Sequence, residues 1–288
     1  MENLIEIKHV TKNRKNFQLN DINFEIKSGF ITGLIGPNGA GKTSLIRCIM
    51  DLVHIDSGEI ELFGLRHSEA TKEIKQKIGF VYDENYFYED LTIEQNKKIV
   101  SLFYDQWDDR LFYSYLKQFQ LPKKEKIKHL SKGMKMKFSL AIALSHNPEL
   151  IIMDEPTSGL DPVFRREFLD LLLDIVQDEN KAIFFSTHMT NDLEQIADYI
   201  AFLNNGELVF HDEKESILER YLLVKGHTNE LSEIDSSNMI GLQKSSVGFK
   251  SLILSDEKIS HDSLVYEKPT LEDIMYFTVR GNKHASTH

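Results

Sequence analysis

The first segment of the chain that could do chemistry is glycine-rich: GPNGAGKT at residues 36–43. Glycines let successive backbone N–H groups point at phosphate oxygens, and a helix starting directly afterwards adds the positive end of its dipole. Lys42 would place its charge on β- and γ-phosphates, and the hydroxyl of Thr43 is a ligand for Mg²⁺. Since the segment follows an apolar run and precedes a helical pattern, it predicts a nucleotide-phosphate site. The residues of that site would be Gly36, Pro37, Asn38, Gly39, Ala40, Gly41, Lys42, Thr43 and Ser44.

Two adjacent carboxylates follow a second apolar run, LIIM at 150–153. Asp154 at the end of such a strand could hold the Mg²⁺ shell, and Glu155 could accept a proton from an attacking water as general base. The same pattern also occurs at ordinary junctions between a strand and a turn. The phosphate-binding segment elsewhere in the chain favours the functional interpretation.

The elements that must position these residues follow an α/β rhythm. The first 35 residues alternate apolar and polar side chains as strands do. A strand at 150–154, a helix at 162–177 and a strand at 182–186 then predict a parallel sheet, and YIAFLNNGELVF at 199–210 predicts a hairpin with an Asn-Gly turn. A closing helix is expected at 269–281.

Composition narrows the classes of function. The 288 residues include 34 Lys+Arg and 45 Asp+Glu, for a formal charge of −11, which argues against a nucleic-acid partner. A single cysteine, Cys48, excludes a disulfide framework and is expected to be a small buried side chain. Apolar runs are of strand length, shorter than a membrane helix requires. We therefore expect a cytoplasmic protein.

Three further motifs carry a family resemblance: LSKGM at 130–134, SGLD at 158–161 and STH at 186–188. Together with the two sites above, their order from about residue 4 to 212 resembles the ATP-binding subunit of ABC transporters.

The resemblance implies a P-loop NTPase fold of the α/β class. An ABC cassette at 1–216 would contain a RecA-like core, an antiparallel β subdomain and a helical subdomain at about 84–148. A small C-terminal α/β extension at 217–288 would be accessory, with a role in dimerisation or regulation. Its apolar bursts are too few for an independent core, so they should pack on the cassette or on a partner.

In this family two cassettes pack head to tail, with each ATP between the phosphate loop of one and the signature loop of the other. The resemblance places that signature loop at Ser131, Lys132, Gly133 and Met134. Lys132 and Met134 depart from the usual LSGGQ, which puts tight closure of the dimer in question. Asp161 would link the two sites across the dimer. His188 would contact the γ-phosphate and orient Glu155.

Two more family positions differ in this chain. The glutamine that contacts Mg²⁺ aligns with Asp83, which is still a hard oxygen ligand but is shorter and charged. The aromatic residue that stacks on adenine is best matched by Phe17, although a core position in its strand is equally consistent. Aromatic residues crowd between 82 and 115; they could dock a permease or form the core of the helical subdomain.

The resemblance implies an ATPase that uses ATP and Mg²⁺ and works with a second ATP-binding subunit, identical or different. It would lie on the inner face of the membrane through a separate permease. Motif order and the C-terminal PTLEDIM segment look most like Gram-positive exporters of antibiotics or peptides, including the phenol-soluble-modulin type. The alternatives are a soluble ABC-type ATPase without a permease and a non-enzymatic nucleotide binder; Glu155 and His188 argue against the latter.

Overall fold

The computed structural model describes residues 2–15, 17–82, 86–232, 234, 236–259, 261 and 263–285. The strands are β1 (Asn3–Arg14), β2 (Phe17–Lys27), β3 (Ile31–Ile35), β4 (Ser57–Leu62), β5 (Ile78–Val81), β6 (Leu150–Asp154), β7 (Ala182–Thr187), β8 (Tyr199–Asn204), β9 (Glu207–Glu213), β10 (Tyr221–Gly226), β11 (Ile240–Lys244), β12 (Phe249–Leu254) and β13 (Val265–Glu267). The helices are α1 (Lys42–Ile49), α2 (His67–Gln76), α3 (Ile93–Ser101), α4 (Asp109–Gln118), α5 (Lys132–Leu144), α6 (Pro162–Ile175), α7 (Thr190–Ile196), α8 (Lys214–Arg220) and α9 (Leu271–Ala285).

A six-stranded sheet in the order β5-β6-β7-β3-β8-β9 forms the centre of the α/β fold. Its first five strands are parallel, and β9 returns antiparallel to β8. Every residue of β3, β6 and β7 is buried. Continuous apolar strands of this kind are typical of a parallel sheet that is covered on both faces.

Alternate side chains of the central strands enter two different cores. Ile151 and Phe185 point to the face covered by the helical region, while Ile152 and Phe184 point to the opposite face. The two-residue repeat of a strand accounts for this division. The phosphate-binding segment and the two carboxylates therefore stand at the carboxyl edge of a sheet that is held from both sides.

The second face is covered by α1 and by an antiparallel sheet in the order β2-β1-β4. Cys48 on α1 is buried there, as expected, and burial raises the pKa of its thiol. This sheet also places the β1–β2 hairpin, with Phe17 at the start of β2, beside the beginning of α1.

The helical region at the first face is built from α3, α4 and α5. Phe112 and Phe138 are fully buried, and the ring centroids of Phe87 and Phe138 are 4.5 Å apart. Tyr88 and Phe103, in contrast, are more than half exposed. The crowded aromatic residues are thus divided: some form the core of this region and others face solvent.

The C-terminal residues form a four-stranded antiparallel sheet, β11-β12-β10-β13, with α9 against it. Leu271, Ile274 and Phe277 on α9 are buried in the same cluster as the residues of α7. The backbone N–H of Leu271 donates to Oε1 of Glu194 on α7 at 2.6 Å. The C-terminal segment therefore packs directly on α7, as expected, but it also has a small core of its own, which the sequence analysis did not expect: Val224, Phe249, Ile253 and Leu264.

Most element boundaries agree with the sequence analysis to within a few residues. The helix expected at 162–177 ends at Ile175, the hairpin continues to Glu213, and the closing helix is Leu271–Ala285. Among the described helices, none combines the length and the apolar character needed to cross a membrane.

Candidate functional site

The phosphate-binding segment joins the end of β3 to the start of α1. Gly41 has φ 110°, and a side-chain carbon added there would lie 2.5 Å from Cζ of Phe17. A residue with a side chain would thus be strained and would clash. None of the described side chains caps α1. Its first backbone N–H groups face the cleft, an arrangement suited to binding an anion.

The ammonium group of Lys42, which is buried, is directed back along this segment. Its Nζ donates to the carbonyl oxygen of Gly36 at 2.8 Å and lies 3.5 Å from Oε1 of Glu155. The cation is therefore held between the phosphate-binding segment and the acidic end of β6. A phosphate group that approaches α1 would meet this charge.

Glu155 and His188 meet because they follow neighbouring strands, β6 and β7. Nδ1 of His188 lies 2.7 Å from Oε2 of Glu155. The backbone of Glu155 is in the left-handed region, with φ 49°, and its N–H donates to the carbonyl oxygen of Ser186 at 3.1 Å. Such a conformation is uncommon for a residue with a side chain, and it is often associated with functional sites.

Asp154 lies one residue earlier, buried at the end of β6. Its Oδ1 accepts a hydrogen bond from Oγ of Ser186 at 2.5 Å. Among the described residues no cluster of three or more His, Cys, Asp or Glu side chains could enclose a metal ion. The hard oxygens of Asp154 and Thr43 nevertheless fit Mg²⁺, which commonly takes one or two protein ligands together with phosphate oxygens.

These residues surround a cleft of ≈ 620 Å³. Its lining consists of Arg14, Phe17, Asn38, Gly39, Ala40, Gly41, Lys42, Thr43, Ser44, Glu155, Ser158 and His188. The cleft thus brings together most of the predicted phosphate-binding residues with Phe17 and the Glu155–His188 pair. The predicted Asp83 lies outside the described residues.

The predicted signature residues lie elsewhere, at the start of α5. The hydroxyl of Ser131 caps this helix by accepting from the backbone N–H of Met134 at 3.2 Å. Lys132 lies beside Gly159 of the SGLD segment. A Cβ atom added to Gly159 would lie 3.3 Å from Cδ of Lys132. Asp161 caps α6 through the N–H groups of Val163 and Phe164. None of these residues lines the cleft of their own chain.

Sequence reasoning missed Arg14, and it named Ser158 and Ser186 only as members of the SGLD and STH motifs, without a role in the site. Parallel pairing of β6 with β7 sets Ser186 opposite Asp154, and its signal in the sequence is its position in the STH motif. Arg14 enters the cleft only because the hairpin after β1 returns towards α1. No local pattern in the sequence indicates that position.

Comparison with known proteins is consistent with this geometry. The profile of the "ABC transporter" family matches residues 19–158. The bacitracin transport ATP-binding protein BcrA of Enterococcus faecalis is 33% identical over 212 residues, which cover 73% of this chain and 69% of that protein. The lantibiotic transport ATP-binding protein SrtF of Streptococcus pyogenes is 32% identical over 197 residues, covering 68% of this chain and 84% of SrtF.

Among solved structures, the chain is similar to the ATP-binding cassette MJ0796, described as a dimer in a post-hydrolysis state bound to ADP and Pi. The TM-score is 0.65 at 25% identity, covering 73% of this chain and 98% of that one. The motifs that line the cleft, the family profile and the share of the chain that these relatives match all indicate the same family. The chain belongs to the ABC transporter family, as an ATP-binding subunit that hydrolyses ATP.

Proposed function

We propose that this ATPase powers export through a separate membrane permease, as one of two cassettes that close around ATP. The observation that carries the proposal is the contact of Glu155 with both His188 and Lys42 inside the cleft. A carboxylate in that position adjoins the place where the terminal phosphate of a nucleotide on α1 would lie.

In the proposed mechanism, Lys42 and the N–H groups at the start of α1 bind the β- and γ-phosphates. Glu155 accepts the proton of the attacking water, and His188 holds its carboxylate in position. Thr43 and Asp154 would hold Mg²⁺, which neutralises charge on the phosphates when bound. Phe17 and Arg14 also line the cleft, and an adenine ring could stack on Phe17.

The second half of each ATP site is proposed to come from a partner cassette. The signature residues stand at the N-terminus of α5, and in this chain they do not reach the cleft. A helix N-terminus of this kind suits the γ-phosphate of ATP bound to another chain. Lys132 would add positive charge there, and Asp161 lies near the same surface through the neighbouring SGLD segment.

A permease could dock on a second cleft, of ≈ 670 Å³, which lies beside the end of α1 and the edge strand β5. Its lining is mostly apolar and aromatic, with two basic residues: Arg47, Met50, Leu52, Val53, Lys75, Ile78, Phe80, Tyr82, Tyr86 and Tyr104. An amphipathic helix commonly binds in a groove of this composition. Such docking would hold the ATPase at the inner face of the membrane, in the cytoplasm.

The proposed cargo is an antibiotic or antimicrobial peptide. Support comes from the names of BcrA and SrtF, which concern bacitracin and lantibiotic transport. Peptides of the phenol-soluble-modulin type are a second group to test. The cassette does not contact cargo itself, so its residues do not discriminate between these peptides.

The proposal is tested by co-purifying the chain with candidate permeases and measuring ATPase activity in proteoliposomes. We expect a stable complex whose ATPase rate is raised by one class of peptide and not by an unrelated soluble peptide. ATPase activity that is the same with and without every candidate permease would favour the alternative, a soluble ABC-type ATPase.

The C-terminal segment is proposed to support dimerisation. A chain that ends near residue 216 is expected to bind ATP, because the segment contributes no residue to the cleft. It should hydrolyse ATP more slowly at low protein concentration, where the dimer dissociates. The measurement is the ATPase rate as a function of protein concentration, for the full and the shortened chain.

Because the cut uncovers the face of α7 on which α9 packs, ATP binding by the shortened chain serves as the control for folding. Rate curves of the two chains that superimpose would contradict a role in dimerisation.

A further inference from the structure

An ion pair with a buried carboxylate and a partly exposed guanidinium connects the two helices that leave the catalytic edge of the sheet. Asp192 on α7 is fully buried, and its Oδ1 accepts from Nε of Arg165 on α6 at 2.6 Å and from Nη2 at 2.5 Å. Oδ2 of Asp192 has no hydrogen-bond partner among the described residues. Neither side chain lines the ATP cleft.

Each of the two helices begins a few residues after a residue of the site. The chain from Glu155 runs through the SGLD segment to Asp161, which caps α6 one turn before Arg165. The other segment runs from His188 into α7, where the N–H of Asp192 donates to the carbonyl oxygen of Met189. The ion pair thus joins the two segments whose ends carry Glu155 and His188.

Apolar packing also holds α7 in place, because Phe168 of α6 and Leu193 of α7 lie in the same buried core cluster. Leu193 packs on Gly33 of β3 so closely that a Cβ atom added to Gly33 would lie 2.3 Å from Cδ2 of Leu193. That contact sets the height of α7 above the sheet. Two guanidinium nitrogens of Arg165 meet one carboxylate oxygen of Asp192, which gives the helices a charged, directional contact in addition to the apolar packing.

Stabilisation of the fold is a weak explanation for an ion pair of this kind. Burying the Asp192 carboxylate and most of the Arg165 side chain is costly, and apolar side chains of similar volume often replace a buried pair at no loss. We propose that Arg165 and Asp192 are positioning residues: they hold α7 against α6 so that Nδ1 of His188 meets Oε2 of Glu155. This inference rests on the roles proposed above for Glu155 and His188.

The first test replaces both residues by apolar ones of similar size, Arg165→Met with Asp192→Leu. The double variant is expected to fold, with a melting temperature close to that of the natural chain. Its kcat for ATP should fall up to about 100-fold, as misplacement of catalytic groups does. KM should be unchanged, because the phosphate-binding segment is untouched. A folded double variant with the natural kcat would overturn the proposal.

The second test separates positioning from general damage. Asp192→Asn is measured alone and in a His188→Ala background, with Asp170→Asn, an exposed residue of α6, as the matched control. If Asp192 acts through His188, Asp192→Asn should lower kcat in the natural chain and have no further effect once His188 is absent. An equal fold-loss in both backgrounds would show that Asp192 does not act through His188.

The same variants distinguish a failure of the role proposed for His188 from a failure of the positioning role proposed for Arg165 and Asp192. Normal activity in His188→Ala itself would contradict the proposed role of His188, whatever the result for Asp192. A large loss in His188→Ala together with normal activity in Asp192→Asn, Arg165→Lys and the apolar double variant would overturn only the positioning role.

Discussion

Glu155→Gln is expected to bind ATP and to hydrolyse it about 10²–10⁴-fold more slowly, because an amide cannot accept the proton of the attacking water. The substitution keeps the size of the side chain, so the contact with His188 is altered chiefly in charge. ATP that is bound but not hydrolysed should hold two cassettes together. Single-turnover hydrolysis and size-exclusion chromatography with and without ATP measure the two effects.

The matched control for this variant is Glu167→Gln, an exposed position on α6, which should retain full activity. Full activity in Glu155→Gln would remove Glu155 from the mechanism. A loss of ATP binding would instead assign it a part in holding the nucleotide, through Lys42.

Lys42→Ala is expected to lose nucleotide binding itself, since the charge on the β- and γ-phosphates disappears before any chemistry. A ligand that binds only the folded state stabilises it by mass action, by about 2.7 kcal/mol at 100 times its Kd. ATP should therefore raise the melting temperature of the natural chain clearly and that of Lys42→Ala very little.

The comparison uses the shift caused by ATP within each variant, because Lys42 also donates to the carbonyl oxygen of Gly36 and its removal changes the ligand-free stability. Lys98→Ala, at an exposed position on α3, is the control and should shift like the natural chain. Equal shifts in all three proteins would contradict the assignment of the phosphate-binding segment.

The order of strands along the chain could be predicted from the sequence, but their order in the sheet could not. Runs such as LIIM and AIFFST indicate fully buried strands, and the motifs mark their carboxyl ends. That β3 lies between β7 and β8 depends on pairing between distant residues, which no local pattern encodes.

The residues of the candidate site were likewise only partly predictable from the sequence. Lys42 and Glu155 were predicted from their motifs, and the structure brings them to 3.5 Å. Arg14 and the Arg165–Asp192 pair were missed, because their importance comes only from what folding places beside them. Phe17 lines the cleft and also packs against the core cluster of the second face, so its role in stacking on adenine stays a prediction.

The central position of β3 has a consequence for biosynthesis. The strand that leads into the phosphate-binding segment is made early, yet its neighbours β7 and β8 come about 150 residues later. At about 5–20 residues per second, a ribosome needs roughly 8–30 s to supply them. Until then β3 pairs with neither β7 nor β8, and the phosphate-binding segment after β3 lacks the support of these strands. ATP can therefore stabilise only a chain that has been synthesised at least as far as β8, and the nascent protein must pass this interval with its central strand unpaired.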